Sequence, residues 1–178
     1  MRSRLIFATL MFFVGAATAG TIEAYFSPGG GAQAAIVQHI ARAKREIVVA
    51  AYSFTDPAIG AALVTALKRG VSVEVVIDKD HNRRGEKKSE ETSSVADLLA
   101  SSGAKIFIAP KGVSIQHNKF IVVDATHVET GSYNYSAAAE KSNAENILIL
   151  SDVPNLAAQY KLKWSWLKER ASVYTARY

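Results

Sequence analysis

The sequence predicts a single α/β domain: a mixed, largely parallel central sheet flanked by helices on both faces. Three observations predict it. Two nearly continuous apolar runs, 46–54 (EIVVAAYSF) and 71–77 (VSVEVVI), read as strands buried on both faces. Between them, 58–69 reads as a helix opened by Thr55-Asp56-Pro57 and closed by Gly70, so the three segments form a βαβ unit with parallel pairing. Further short apolar runs alternate with helical segments through the rest of the chain.

Taken in order, 21–26 alternates and is rich in β-formers, which predicts a first strand. Ser27-Pro28-Gly29-Gly30-Gly31 breaks it as a loop. The Ala-rich stretch 32–45 places Ile36, Val37, Ile40 and Ala41 on one stripe and predicts a helix. After the βαβ unit, 78–92 (DKDHNRRGEKKSEET) holds no apolar residue and reads as a solvated surface loop. Residues 93–101 form a helix with Val95, Leu98 and Leu99 on one face; Gly103 stops it, and 105–109 is the next strand. A turn over 110–114 leads to a strand ending in FIVV at 120–123, a turn at Asp124-Ala125-Thr126, and a strand over 127–130. A short helix (137–141), a strand (144–150) and a closing helix (153–170) follow. Leu156, Tyr160, Trp164 and Leu167 share one face of that last helix and belong to the core.

The chain has 178 residues, 49% apolar and 21% charged, the balance of an ordinary globular protein with one well-buried core. It has no cysteine, which excludes disulfides, thiolate zinc sites and a cysteine nucleophile. Residues 1–19 carry Arg2 and Arg4, then an apolar run over 5–14, then Ala17-Thr18-Ala19, the pattern of a secretory signal peptide. The apolar run is shorter than the ~20 residues a membrane span needs. The expected division is therefore a signal peptide over 1–19 and a catalytic domain over 20–178, in a periplasmic or secreted protein with no stable membrane association after the signal is removed. Without Arg2 and Arg4 the formal charge falls from +5 to +3, so any basic surface that matters is local. Lys79, Arg83, Arg84, Lys87 and Lys88 make the polar loop the densest cationic segment, and the best candidate for touching a nucleic-acid backbone.

Chemistry concentrates in 115–136, IQHNKFIVVDATHVETGSYNYS. His117 and Lys119 are two apart, which on a strand puts both on one face, about 7 Å apart. Ile121 and Val123 carry that face into the core, so the polar pair stands at the strand's open end, where α/β sheets place their sites. The following strand returns to Gly131-Ser132 and Asn134. A lysine charge with serine and asparagine donors suits the nonbridging oxygens of a phosphodiester and the charge of a pentacoordinate transition state. His117 is then placed to attack phosphorus.

The spacing H-x-K-x4-D-x6-G-S-x-N, met at His117, Lys119, Asp124, Gly131, Ser132 and Asn134, resembles the signature of the phospholipase D superfamily. The strand end AYSFT (51–55), the strand VEVVID (73–78) and the segment containing Asn143, Glu145 and Asn146 resemble the small single-motif bacterial endonucleases of that superfamily. The resemblance implies metal-independent hydrolysis in two steps, with no cofactor and no metal. His117 would be the nucleophile and form a phosphohistidine. Lys119, Ser132 and Asn134 would bind phosphate. Glu145 would hydrogen-bond the His117 ring and fix its tautomer, and Asp124 would be mainly structural, ion-pairing near the site. Members need two motifs per site, and this chain has one, which implies a homodimer with the site at its two-fold interface. The substrate implied is nucleic acid, held nonspecifically by its phosphates; the alternative is a phosphatidylcholine-type lipid.

Other polar residues read more plainly. Asp78, Asp80 and His81 suit a divalent ion less well than they suit a solvated loop. His39 and His127 read as ordinary surface or boundary residues. Glu129 reads equally as a support to the site and as a plain strand-end carboxylate.

Overall fold

Runs of β-branched residues bounded by turn residues set the strands, and these align into one sheet. The computed structural model describes residues 20–80 and 95–176. The expected signal peptide, His81 and the rest of the polar loop lie outside the described residues. The elements are β1 (Thr21–Ser27), α1 (Ala32–Ala41), β2 (Glu46–Ala51), α2 (Pro57–Lys68), β3 (Ser72–Ile77), α3 (Val95–Ser101), β4 (Lys105–Ile108), β5 (Phe120–Val123), β6 (His127–Gly131), α4 (Ala137–Lys141), β7 (Glu145–Ser151), α5 (Pro154–Glu169) and β8 (Ser172–Val173).

Among these residues the sheet has eight strands in the order β1-β7-β6-β5-β2-β3-β4-β8. It is mixed, as expected, but parallel pairing is confined to β2–β3 and β3–β4, the two helical crossovers. The remaining pairs are antiparallel: a short turn over 124–126 joins β5 to β6, β7 returns beside β6 after α4, and β1 crosses to the far edge to pair with β7. "Largely parallel" therefore describes only the β2–β3–β4 half.

Both sheet faces are covered, each by the residues that alternation sends there. Ile47, Val49, Val75, Ile121 and Ile147 pack under α1, α2 and α3. Val48, Ala50, Phe120, Val122 and Leu150 pack under α5, which contributes Trp164 and Leu167. The Trp164 indole N–H donates 2.9 Å to the Val49 carbonyl, so this large side chain is buried with its polar atom satisfied. Helix α2 begins as its sequence dictates: Asp56 accepts from the Ala58 and Ile59 amides at 2.8 and 3.1 Å, with Pro57 in the first turn. Helix α5 stops short of the β1–β7 end of the sheet, and there Ile22, Phe26 and Leu148 stay 66, 58 and 38% exposed. Among the described residues no helix is long and apolar enough to cross a membrane.

Candidate active site

The segment before β5 is fixed from below. Asp78, buried at the end of β3, accepts the Gln116 amide at 2.9 Å with one oxygen and the Asp80 amide at 2.9 Å with the other. Gln116, itself buried, accepts from the Asn118 amide at 2.9 Å and from its side chain at 2.7 Å. These bonds bracket His117 without using its ring. Asp78 thus anchors backbone rather than standing in a solvated loop. Among the described residues no group of three or more His, Asp or Glu side chains is placed to hold a metal ion.

His117 is exposed, and its ring meets the edge of Tyr52 with centroids 4.5 Å apart. Tyr52 follows β2, which is antiparallel to β5, so the end of one strand lies beside the start of the other. Lys119 is only 6% exposed; its Nζ donates 2.9 Å to the His117 carbonyl and lies 5.0 Å from the centre of the Tyr52 ring. Burial lowers the Lys119 pKa, and the nearby Glu145 carboxylate acts in the opposite direction. Alternation predicted a strand through His117 and Lys119, whereas β5 starts at Phe120 and both precede it. The two still converge, because both reach Tyr52.

The phosphate-binding candidates come from the turn after β6. The Ser132 amide donates 3.0 Å to the Asn146 carbonyl, and its hydroxyl oxygen accepts from the Asn146 amide at 3.1 Å and side chain at 3.4 Å. This close approach requires Gly131: a Cβ there would fall 2.1 Å from the Asn146 carbonyl oxygen. The Asn134 side-chain oxygen is buried with no hydrogen-bond partner among the described residues. Such a polar atom is one a bound ligand can satisfy.

Two expected roles are placed differently. Glu145 accepts from Asn143 at 3.0 Å, and among the described residues it makes no hydrogen bond to His117, since β6 separates β7 from β5. Its contribution inside one chain is charge beside Lys119. Asp124 stands at the opposite end of β5 from Lys119. Its carboxylate accepts the Lys44, Arg45 and Glu46 amides at 2.9, 2.8 and 3.1 Å, so it ties the β5–β6 turn to the start of β2. The resemblance implied a mainly structural residue ion-pairing near the site; here the carboxylate holds backbone amides at the far end of β5.

Sequence reasoning passed over Tyr52, although its place at the end of a buried strand pointing to the site was a signal. It also read His39 as an ordinary surface or boundary residue, whereas His39 is 1% exposed on the inner face of α1. Its spacing of three from Ile36 put it on the buried stripe.

Residues 36–167 match the family described as cardiolipin synthase, PLD-like domain. The chain belongs to the phospholipase D superfamily. It is with that superfamily a phosphodiester hydrolase. A phospholipase D of Rickettsia typhi is 34% identical over 154 residues, 86% of this chain and 71% of that protein. A mitochondrial cardiolipin hydrolase of Xenopus tropicalis is 32% identical over 120 residues, 62% of this chain and 49% of that protein. Among solved structures, the phospholipase D family member Nuc from Salmonella typhimurium matches with a TM-score of 0.78 at 34% identity, over 88% of this chain and 99% of that one. NucT from Helicobacter pylori shares the fold, with a TM-score of 0.77 at 20% identity over 88% and 100% of the two chains. In this phospholipase D-like chain, His117, Lys119, Ser132 and Asn134 are the motif residues gathered at one end of the sheet.

Proposed function

We propose that this protein is a sequence-nonspecific endonuclease that cleaves DNA, and RNA as a second substrate, through a covalent phosphohistidine. The observation that carries the reading is the exposed His117 ring, held against Tyr52 beside the buried Lys119 and next to the Ser132–Asn134 turn. In this mechanism a His117 nitrogen attacks phosphorus in line, an N–P bond forms, and one P–O bond breaks. Lys119, Ser132 and Asn134 hold the nonbridging oxygens as charge develops on them. A second imidazole gives its proton to the leaving oxygen and then takes one from the water that breaks the N–P bond, freeing His117.

The second imidazole comes from another copy of the chain. Supporting this are the single motif and the bare apolar strip of Ile22, Phe26 and Leu148, on the strands next to Ser132 and Asn146. A two-fold contact over that strip would bury the apolar surface and bring two copies of the site together. Light scattering of the mature chain should give twice the monomer mass, and Phe26→Glu should lower both mass and activity; an active monomer refutes the shared site. Export rests on the 1–19 segment, and the amino-terminal sequence of the secreted product tests it.

A lipid reading is favoured by the names of the relatives, phospholipase D and cardiolipin hydrolase. The deciding experiment assays the purified protein in EDTA on plasmid DNA and on phosphatidylcholine vesicles in parallel. Cleavage of DNA alone is expected. Cleavage of lipid alone overturns the nuclease reading, and activity lost to EDTA and restored by Mg²⁺ overturns the metal-independent mechanism.

A further inference from the structure

Glu129 is fully buried on β6, opposite Ile121 of β5 and on the sheet face covered by α1. A carboxyl group is costly to bury, and an aliphatic side chain would stabilise the same position better. One of its oxygens, Oε1, has no hydrogen-bond partner among the described residues. The other accepts a single bond, 2.7 Å from the hydroxyl of Tyr135. Stability therefore does not explain this residue, and its one contact indicates what does.

Tyr135 is also fully buried, and it joins two segments that both reach the active site. Its backbone follows Asn134 directly. Its carbonyl oxygen accepts the Thr55 amide at 2.8 Å and the Asp56 amide at 2.9 Å, just past the end of β2. Phe54 and Tyr135 form an isolated parallel bridge, and their rings meet edge to face with centroids 6.0 Å apart. Tyr52, which packs the His117 ring, lies two residues before Phe54. Tyr135 is thus the joint between the turn carrying Ser132 and Asn134 and the strand end carrying Tyr52. Apolar packing alone lets a ring slide and rock, whereas a directional bond to its far end fixes it.

We propose that Glu129 is a positioning residue for the phosphodiester reaction: by anchoring the Tyr135 hydroxyl in the core, it holds the Ser132–Asn134 turn in register with Tyr52 and His117. The inference rests on the reading of His117 as the nucleophile. It predicts that catalysis depends on the hydrogen-bonding oxygen at position 129, not on a carboxylate as such. A displacement of about an ångström at a reacting group costs on the order of a hundredfold in rate, so losing the anchor should be visible.

The test compares Glu129→Gln, Glu129→Leu, Tyr135→Phe and the Glu129→Leu/Tyr135→Phe double variant on bis(p-nitrophenyl) phosphate, with His117→Ala alongside. Glu129→Gln keeps an accepting oxygen and should keep kcat within about threefold of wild type. Glu129→Leu and Tyr135→Phe should each lower kcat about tenfold or more with little change in KM, in protein that remains folded by circular dichroism. The double variant should be no slower than the worse single one, because both remove the same bond. Wild-type kcat in Tyr135→Phe, losses that multiply in the double variant, or a loss in Glu129→Gln as large as in Glu129→Leu would overturn the proposal. If Glu129→Leu does not fold, Tyr135→Phe, which removes a single oxygen, decides the question alone. An inactive wild type or an active His117→Ala variant sinks the nucleophile reading; an inactive His117→Ala beside a fully active Tyr135→Phe sinks only the role of Glu129.

Discussion

The His117 imidazole meets the Tyr52 ring edge-on, with centroids 4.5 Å apart and planes 63° apart. His117 is otherwise exposed, so this contact is what restricts its ring. An aromatic pair of this geometry contributes about 0.5–1.5 kcal/mol beyond its area, enough to favour one orientation roughly two- to tenfold. Tyr52 also lies under the Lys119 ammonium, at 5.0 Å. Tyr52→Ala should therefore lower kcat about tenfold on a small phosphodiester, while Tyr52→Phe keeps both ring contacts and most of the rate. Full activity in Tyr52→Ala would show that His117 needs no such support.

Asp124 supplies a contrast, because its work is done far from the chemistry. Burial would raise its pKa, but the amides of Glu46, Lys44 and Arg45 and the Arg45 charge outweigh that and hold the carboxyl below its usual range. The residue also adopts φ 52, in the left-handed region that Asp tolerates better than most. Asp124→Ala should destabilise the fold by about 1–2 kcal/mol, since it removes the acceptor from three part-buried amides, yet leave kcat of the folded fraction near wild type. Urea unfolding and activity measured well below the midpoint separate the two effects. A selective loss of kcat would place Asp124 in the chemistry after all.

The contrast also shows what was legible in the sequence and why. Helix α2 was readable almost to the residue, because its start (Asp56-Pro57) and its stop (Gly70) are local chemistry. Helix α1 was read as 32–45 but ends at Ala41, since residues 44–46 turn to offer their amides to Asp124, about eighty positions away. No local pattern reveals that contact. Strand β8, just Ser172 and Val173, exists only through its pairing with β4, and β1 reaches the far edge by pairing with β7. The motif residues were found because the spacing of His117, Lys119, Ser132 and Asn134 is chemical. Tyr52 and Tyr135 were passed over and Glu129 was left between two readings, because their contacts exist only once β2, β5 and β6 are side by side.

His39 gives the fold an acid sensitivity. Burial pushes its pKa down to about 4, helped by the charges of His127 and Arg42 and opposed by a backbone interaction at Ile121. The unfolded chain binds this proton near pH 6.5 and the folded chain only near 4, so folding must shed it across that interval. The contribution of His39 to stability is therefore full above pH 6.5 and declines as pH falls, by on the order of 3 kcal/mol at pH 4. His39→Leu should flatten this acid limb in denaturant titrations between pH 4 and pH 6.5. An unchanged slope would mean that His39 is protonated in the folded protein.

Glu129 produces the opposite slope in a higher window. Full burial pushes its pKa up to about 8, with the Tyr135 hydroxyl bond pulling the other way. Between the ordinary carboxyl value of 4.5 and about 8 the unfolded chain has lost this proton while the folded chain keeps it. Stability must then fall as pH rises through that interval, by a few kcal/mol in all, and level off above pH 8. Below pH 6.5 the His39 slope opposes it, so the two partly cancel. Between pH 6.5 and 8 His39 is neutral in the folded chain and sheds only the remainder of its proton in the unfolded one, so Glu129 meets little opposition. Glu129→Gln removes the titration and retains an acceptor for Tyr135. The variant should lose the decline in unfolding free energy from pH 6.5 to 8 and be more stable than wild type at pH 8. Equal slopes in the two proteins would show that Glu129 is ionised in the core throughout this range, and a buried positive partner for it would then have to be found.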